Sequence, residues 1–575
     1  MARSAVQKAR VRTRRPDVPV KSIPIGRLAA IVMFGAFVVE LHLYSASLAA
    51  PFVFDDFSLP FQLGSPQPLS AWLSGVRPVL MSTYWLNASV SGNSPLGYHL
   101  LNLIIHAINT GLVFLVLSRL LALSGGMSAR VVRVASMTGA AVFLIHPLQT
   151  ESVSYVAGRS ESLAALFVLL AYVVFLYRRQ EAISWTETAV VLTLFALGVA
   201  SKENAVSLAG MLVLTDVYWP RAFSTQGLRN NWKLYAAMAA GLIVAMWKVF
   251  RMLAAAPSAG FSLPGVTWYQ YGFTQARAFF TYVRLAVIPA GQSIDHDYPV
   301  SHTILEHGAI FYLAALAGLI AVCYVWRRRY PLACFGFLLT LILLAPTSSI
   351  VPILDPLVER RMYLPLVGLI LIGCEIAKHI RVRPLTGYAV CGAMLAMFYV
   401  LCYQRNLLWA EPSQLWAQAA LESTGKGRPY ANLVDQLVEE RRCSVAIPYL
   451  QHAEQALPND YFVELAWGRT LECVGRKDLA LRRLLRAAQI RPCSEVYRLI
   501  GLLEGEMGKP AEAGVALRRA VALDSRSPRA RDALALWNKW MNALAAAEKQ
   551  HGAVPVLAPR DGAAAAGMQP MRKVQ

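Results

Sequence analysis

About eleven apolar runs, most of them close to bilayer-spanning length, follow one another along this chain as far as residue 403. The first is IVMFGAFVVELHLYSASLAA. The others fall near 99–123, 134–146, 161–177, 186–200, 204–219, 234–250, 308–326, 331–346, 364–377 and 385–403. Within hydrocarbon a segment must satisfy its own backbone, and a single run does so only as a helix. The pattern predicts an all-α, polytopic membrane domain of about eleven transmembrane helices. Composition agrees: 56% of the 575 residues are hydrophobic and 15% are charged, whereas soluble chains carry about 25% charge.

The net charge is +21, which in a soluble protein would point to nucleic acid. Here the basic residues sit at the ends of apolar runs, so they read as topology signals and contacts for anionic lipid. No nucleic-acid partner is expected. With the basic arm, residues 1–27, in the cytoplasm, the same side receives Arg119/Arg130/Arg133, Arg178/Arg179, Arg221/Arg229/Lys233, Arg327–Arg329 and Lys378/Arg381/Arg383. The opposite side receives Asp55/Asp56, Glu151/Glu161, Asp295/Asp297 and Asp355/Glu359. The first run reads as an uncleaved span, with cleavage after ASLAA as the alternative. The aromatic segment 267–289 contains Gln270, Gln275, Arg277 and Arg284, which are costly at mid-bilayer. It is expected to lie in the outer interface.

The multi-span domain is assigned to 28–416. Residues 417–545 then read as a soluble helical repeat on the outer side, and 546–575 as a disordered tail. HAEQALPND (452–460), RAAQIRPCS (486–494) and RAVALDSRS (519–527) recur with a period near 34 residues, and a proline or serine follows each second helix. That is the tetratricopeptide pattern. The eight cysteines show no CxxC or ligand spacing, so they read as small core residues and say little about redox compartment.

Polar segments gather at the outer ends of the spans: FVFDD (52–56), RPVLMSTYWLN (77–87), PLGYHLLNLIIHAIN (95–109), HPLQTESVSYVAGRSES (146–162), SKEN (201–204), DHDYPVS (295–301) and VERRMYLP (358–365). Any one of them is explained as a helix cap or a neutralised ion pair. All of them on one face, opposite a merely basic face, require another reason. In this order, with QRNLLWAEPSQLW leading into the repeats, they resemble the transmembrane and tetratricopeptide-repeat O-mannosyltransferases and their bacterial relatives, of the GT-C superfamily. The likeness covers most of the chain from Phe52 onward. It implies a glycosyltransferase that takes one sugar, mannose by resemblance, from a polyisoprenyl phosphate. The acceptor would be a hydroxyl of protein Ser/Thr on the outer face, and the reaction would invert the sugar. The location implied is a bacterial inner membrane with periplasmic repeats, or the endoplasmic reticulum in a eukaryote.

The resemblance places Asp55-Asp56 where such enzymes carry an acidic motif in the first outer loop. A sugar on a lipid phosphate already has a good leaving group, so the chemistry asks for a base toward the acceptor hydroxyl. Asp55 is expected in that role with Asp56 orienting, and the reverse assignment stays open. The departing phosphate asks for cations, for which Arg159, Arg360, Arg361 and Lys202 are the candidates. Glu359 is expected to hold one of these arginines. Arg77, His99, His146, Glu151, Glu203, Asp295, Asp297 and Tyr363 complete the candidate pocket. His99 and His106 share a helix face, but neutral, satisfied histidines are the expectation, and no metal or other cofactor is assigned. The repeats would recruit a protein acceptor or dock a partner. A GT-C enzyme acting on a glycolipid or envelope polymer, a non-catalytic scaffold, and a transporter are the other readings. The transporter reading lacks mid-membrane charges and internal symmetry.

Overall fold

A computed structural model describes residues 24–551 except 60–67, 74, 179, 181, 220–223, 256–258, 262, 382 and 526. Most of the basic arm and of the expected tail therefore lie outside the described residues. Those described form helices and connecting turns, with one isolated β-bridge, Ala259–Ile353.

Every expected apolar run is helical, and the chain is a multi-pass membrane protein. By length and apolarity, five described helices can each cross a bilayer: Ile25–Leu43, Pro95–Ser124, Arg159–Leu176, Glu306–Trp326 and Pro384–Ala410. A sixth crossing arises if Ala129–Ile145 and Pro147–Val153, bent by 51°, count as one. Trp185–Ser201, Trp232–Val244 and Pro331–Leu344 are shorter apolar helices. The expected eleven is not reached by this measure. Ser207–Tyr218 and Leu366–His379 have 12 and 14 residues, so at 1.5 Å per residue they fall well short of the roughly 30 Å hydrocarbon layer.

Two of these helices, Pro95–Ser124 and Arg159–Leu176, have 72% of their apolar window buried and form the centre of the bundle. Glu306–Trp326 and Pro384–Ala410 bury only 6% and 11% of theirs, leaving Phe311, Val325 and Leu385 on the surface. Such exposure suits lipid and not water. Helices Pro331–Leu344 and Leu366–His379 meet backbone to backbone. A Cβ on Gly336 would lie 2.3 Å from the Gly368 carbonyl oxygen, so only a small residue permits the crossing.

The segment 267–289 forms helix Trp268–Val287, which is not among the spanning candidates. Its inner face holds the loop before VERRMYLP. Gln275 Nε2 donates to Pro356 O at 2.9 Å, and the Val358 N–H donates to the Tyr282 hydroxyl at 3.0 Å.

The solenoid is built from antiparallel pairs whose first helices begin at Arg428, Tyr461 and Ser494, with a last helix from Pro528. Buried alanines at 446, 453, 480, 487, 513 and 520 let the paired helices approach. The turn inside each pair needs a left-handed residue: Gly475 (φ 80°) and Gly508 (φ 74°) supply it in two repeats, and Arg441 (φ 57°) in the first. Cys443 and Cys473, 30 residues apart with Cα atoms at 6.1 Å, form a disulfide that ties the turn of the first repeat to the first helix of the second. Sequence spacing gave no sign of it, because the repeat and not a local motif brings the two together. The expected boundary at residue 416 falls inside helix Pro412–Glu422. There Leu415 and Trp416 share one core with Trp409, Val53, Tyr155 and Ile294.

Candidate active site

The acidic loop leaves the first span as a short 3-10 turn, Phe54–Ser58. Phe54 has φ 50°, an unfavourable region for a bulky residue that persists only when its surroundings over-determine it. They do so here. The Phe54 ring packs edge-on against Trp416 at 5.3 Å and stacks on Tyr155 at 6.5 Å, and the Arg428 guanidinium lies 5.3 Å above it.

This turn separates the two aspartates. Asp56 is 1% exposed. Its Oδ2 accepts from the Val53 N–H at 3.1 Å and its Oδ1 from the Ala157 N–H at 2.7 Å. Burial pushes its pKa up to about 7, against the pull of those two N–H groups. Asp55 faces outward and is exposed, while its N–H donates to the Tyr155 hydroxyl at 2.9 Å.

Beside Asp55 stands Arg360. Its N–H donates to Glu151 Oε2 at 2.8 Å, and its Nη1 pairs with Glu151 Oε1. The guanidinium covers the Tyr155 ring at 5.8 Å and feels the charges of Asp55 and Glu161. Glu161 in turn takes Lys202 Nζ at 2.5 Å and Asn204 Nδ2 at 2.7 Å. Arg77 pairs with Glu203 through two hydrogen bonds of 2.9 and 2.8 Å. Asp55, Arg360, Lys202, Arg77, Glu151 and Glu203, from five of the sequence segments, thus gather in alternating charge at the mouth of the candidate site.

The other candidates go elsewhere. Arg159 is 0% exposed, and the fold consumes it. Nε donates to Asn102 Oδ1 (2.7 Å), Nη2 to Tyr98 O (2.9 Å) and Nη1 to Thr83 Oγ1 (3.2 Å), with the Tyr84 ring 4.5 Å away. Arg361 donates to Pro356 O and Asp355 O at 3.0 and 2.8 Å and braces its own loop. Glu359 does not hold an arginine. It accepts from Gln292 Nε2 and the Ser293 N–H, each at 2.7 Å, and pairs with His296 at 2.8 Å; Glu151 holds the arginine instead. The Tyr363 hydroxyl bonds His106 Nδ1 at 2.8 Å and Asn109 Nδ2 at 3.0 Å inside the bundle.

His146 accepts the Leu148 N–H on Nδ1, so Nε2 carries the proton toward Ala286 O at 2.9 Å, and the ring is neutral. His99 Nε2 lies 3.2 Å from Ala50 O. Among the described residues no three His, Cys, Asp or Glu side chains gather in a metal-binding group.

Asp295 and Asp297 are not at the mouth but under the solenoid. Arg428 grips Asp295 with two bonds of 2.7 and 2.6 Å and Asp355 with one of 2.7 Å. Lys426 Nζ pairs with both acids. Asp297 Oδ2 accepts the Thr424 and Gly425 N–H groups at 3.0 and 2.6 Å. Burial would raise the Asp355 pKa, but Arg428 and Lys426 bring it down to about 2.

Reading the sequence missed Phe54, Tyr155, Lys426 and Arg428. For the last two a signal existed: GKGRP is a basic cluster directly after a span assigned to the outer side, which breaks the positive-inside pattern unless acids receive it.

No family model matches the chain. Human protein O-mannosyl-transferase TMTC3 is 21% identical over 510 residues, covering 78% of this chain and 54% of that protein. The mouse protein of the same name is 24% identical over 513 residues with the same coverage. The chain resembles these proteins and spans about half their length. The crystal structure of the APC/C hetero-tetramer Cut9–Hcn1 aligns over 90% of this chain and 91% of that one, at 11% identity and a TM-score of 0.22. That score is too low to bear on the fold.

Proposed function

We propose that this chain is a membrane glycosyltransferase that moves one sugar, mannose by resemblance, from a polyisoprenyl phosphate to a Ser or Thr hydroxyl of a protein. Transfer would take place on the outer face. The observation that carries the reading is the division of the aspartate pair: Asp56 is spent on two backbone N–H groups, and Asp55 is exposed in the field of Arg360.

In the reaction, Asp55 takes the proton of the acceptor hydroxyl as that oxygen attacks sugar C1. The bond from C1 to the phosphate oxygen breaks and its electron pair leaves with the lipid phosphate, inverting the sugar. Arg360 is the first cation to meet that phosphate. Glu151 holds Nη1 of its guanidinium, and its remaining side-chain nitrogens make no hydrogen bond among the described residues, which suits bidentate phosphate contact. Lys202 and Arg77 extend the positive potential. Arg159 and Arg361 have no part in the step.

The reading needs the solenoid and the acidic loop on the same side of the membrane. The contacts of Lys426 and Arg428 with Asp295 and Asp355 support this, and the Cys443–Cys473 disulfide suits an oxidising compartment such as a periplasm or lumen. The test of the activity is transfer in isolated membranes from a labelled polyisoprenyl-phosphate mannose. Label should enter protein and be released by β-elimination. Label confined to lipid would favour the glycolipid enzyme, and no transfer to either would overturn the proposal. For topology, a membrane-impermeant thiol reagent should label Cys443 and Cys473 from the outer side only after reduction. Labelling from the cytoplasmic side would refute the shared-side arrangement, and labelling from the outer side without reductant would refute the disulfide alone.

A further inference from the structure

A cavity of about 170 Å³ lies between the acidic loop and the solenoid. Phe54, Phe57 and Trp416 form one wall. The opposite wall comes from the first helices of the successive repeats and from the last helix, that is, from the inner face of the solenoid. It starts with Asn432 on helix Arg428–Glu439.

The charges on that wall are balanced. Arg469 pairs with Asp435, and Arg498 grips Glu495 through bonds of 2.9 and 2.6 Å. Arg529 and Glu439 complete three cations against three anions, and all three acids feel both Arg469 and Arg529. A ligand of net charge would have to break this balance. A dipolar, uncharged ligand would find donors and acceptors of both kinds. In addition, Asn432 Nδ2 is buried with no hydrogen-bond partner among the described residues, and a buried donor of this kind calls for an acceptor such as a carbonyl oxygen.

We propose that this cavity holds an extended stretch of acceptor polypeptide by its main chain, one residue away from Asp55 along the acidic loop. The inference rests on the function proposed above and deepens it. Peptide carbonyls meet Asn432 and the arginines, peptide N–H groups meet the carboxylates, and the aromatic wall covers apolar side chains. Main-chain recognition makes the groove tolerant of sequence, and Phe54 couples its occupancy to the turn that presents Asp55.

The test uses the purified full chain in detergent and a labelled, uncharged, Thr-rich peptide followed by fluorescence anisotropy. Saturable binding is expected. Asn432→Leu, which keeps the shape but removes the donor, and Arg529→Gln should each weaken it about tenfold. Val515→Ala, outside the cavity lining, should bind as the unchanged protein does, and thermal unfolding checks that all variants are folded. The proposal is overturned if the unchanged protein shows no saturable binding or if both cavity variants bind normally. It also falls if the same peptide with N-methylated amides binds equally well, or if inorganic phosphate displaces the probe, which would make this an anion site. Peptide that binds but accepts no sugar would leave the groove standing and remove the transferase reading. Transfer to protein without peptide binding would do the reverse.

Discussion

At the mouth, Arg360 is held by Glu151 through its backbone N–H and Nη1 and stands beside the exposed Asp55. In the bundle beneath, Arg159 spends its fork on Asn102, Tyr98 and Thr83, and Asp56 spends both oxygens on backbone N–H groups. The two regions use the same residue types, and they divide the adjacent aspartates of the DD pair between them. In the lower region a polar group is retained because the fold would otherwise bury unsatisfied backbone. At the mouth the Arg360 guanidinium keeps nitrogens that make no hydrogen bond among the described residues. What a motif residue does is therefore decided by how many of its hydrogen-bonding positions the structure has already filled.

The sharpest way to break this comparison is the aspartate pair. Asp55→Asn keeps the shape but removes the base, so transfer should fall at least about a hundredfold while the unfolding midpoint stays the same. Asp56→Asn places an amide against a backbone N–H that was accepted by a carboxylate oxygen. It should cost about 1–3 kcal/mol of stability, seen in denaturant unfolding, with a smaller loss of turnover per folded molecule. Normal turnover in Asp55→Asn with a dead, fully stable Asp56→Asn would exchange the two roles.

The arginines give the next contrast. Arg360→Lys keeps charge but loses the planar fork, so transfer should drop about tenfold, mainly through donor affinity, at unchanged abundance. Arg159→Lys should instead lower stability by about 2–3 kcal/mol, since at least two of its three acceptors lose their partners. A stable Arg159→Lys protein with weakened donor binding would bring Arg159 back to the mouth.

How far the sequence carried follows from the same distinction. Apolar runs and repeat periods are one-dimensional signals, and they produced helices where expected, from Ile25–Leu43 to the solenoid, whose first helices start 33 or 34 residues apart. The crossing count did not follow, because length and apolarity of a short helix such as Leu366–His379 do not fix its depth. Asp55, Arg360 and Lys202 were legible as a set from motif order. The partner of Arg360 was not, since Glu151 and Glu359 are equally acidic neighbours of outer spans and only the turn at Glu359–Met362 decides between them. Asp295 and Asp297 looked like pocket acids because their partners, Lys426 and the Thr424–Gly425 amides, lie about 130 residues further along the chain. Tyr155 and Phe54 went unnoticed because aromatics are unremarkable in a chain this apolar.

The smallest expected effect concerns pH and separates the two aspartates without reference to activity. The Asp56 pKa is raised from an ordinary 3.8 to about 7 in the folded protein, chiefly by burial. Between those values the folded state binds more protons at this site than the unfolded state, so the Asp56 contribution to stability falls as pH rises from about 4 to about 7 and is level above that. Between pH 6 and pH 8 the difference is of order 1 kcal/mol. Asp355, drawn down to about 2, contributes stability that is complete above its ordinary value and is lost only as pH falls through about 2, so it stays silent in this window. Unfolding of the unchanged protein and of Asp56→Asn, measured at pH 6 and pH 8, should therefore show a larger loss in the former. Parallel loss in both would mean that Asp56 is ionised throughout, and the burial that sets it apart from Asp55 would have no energetic consequence at working pH.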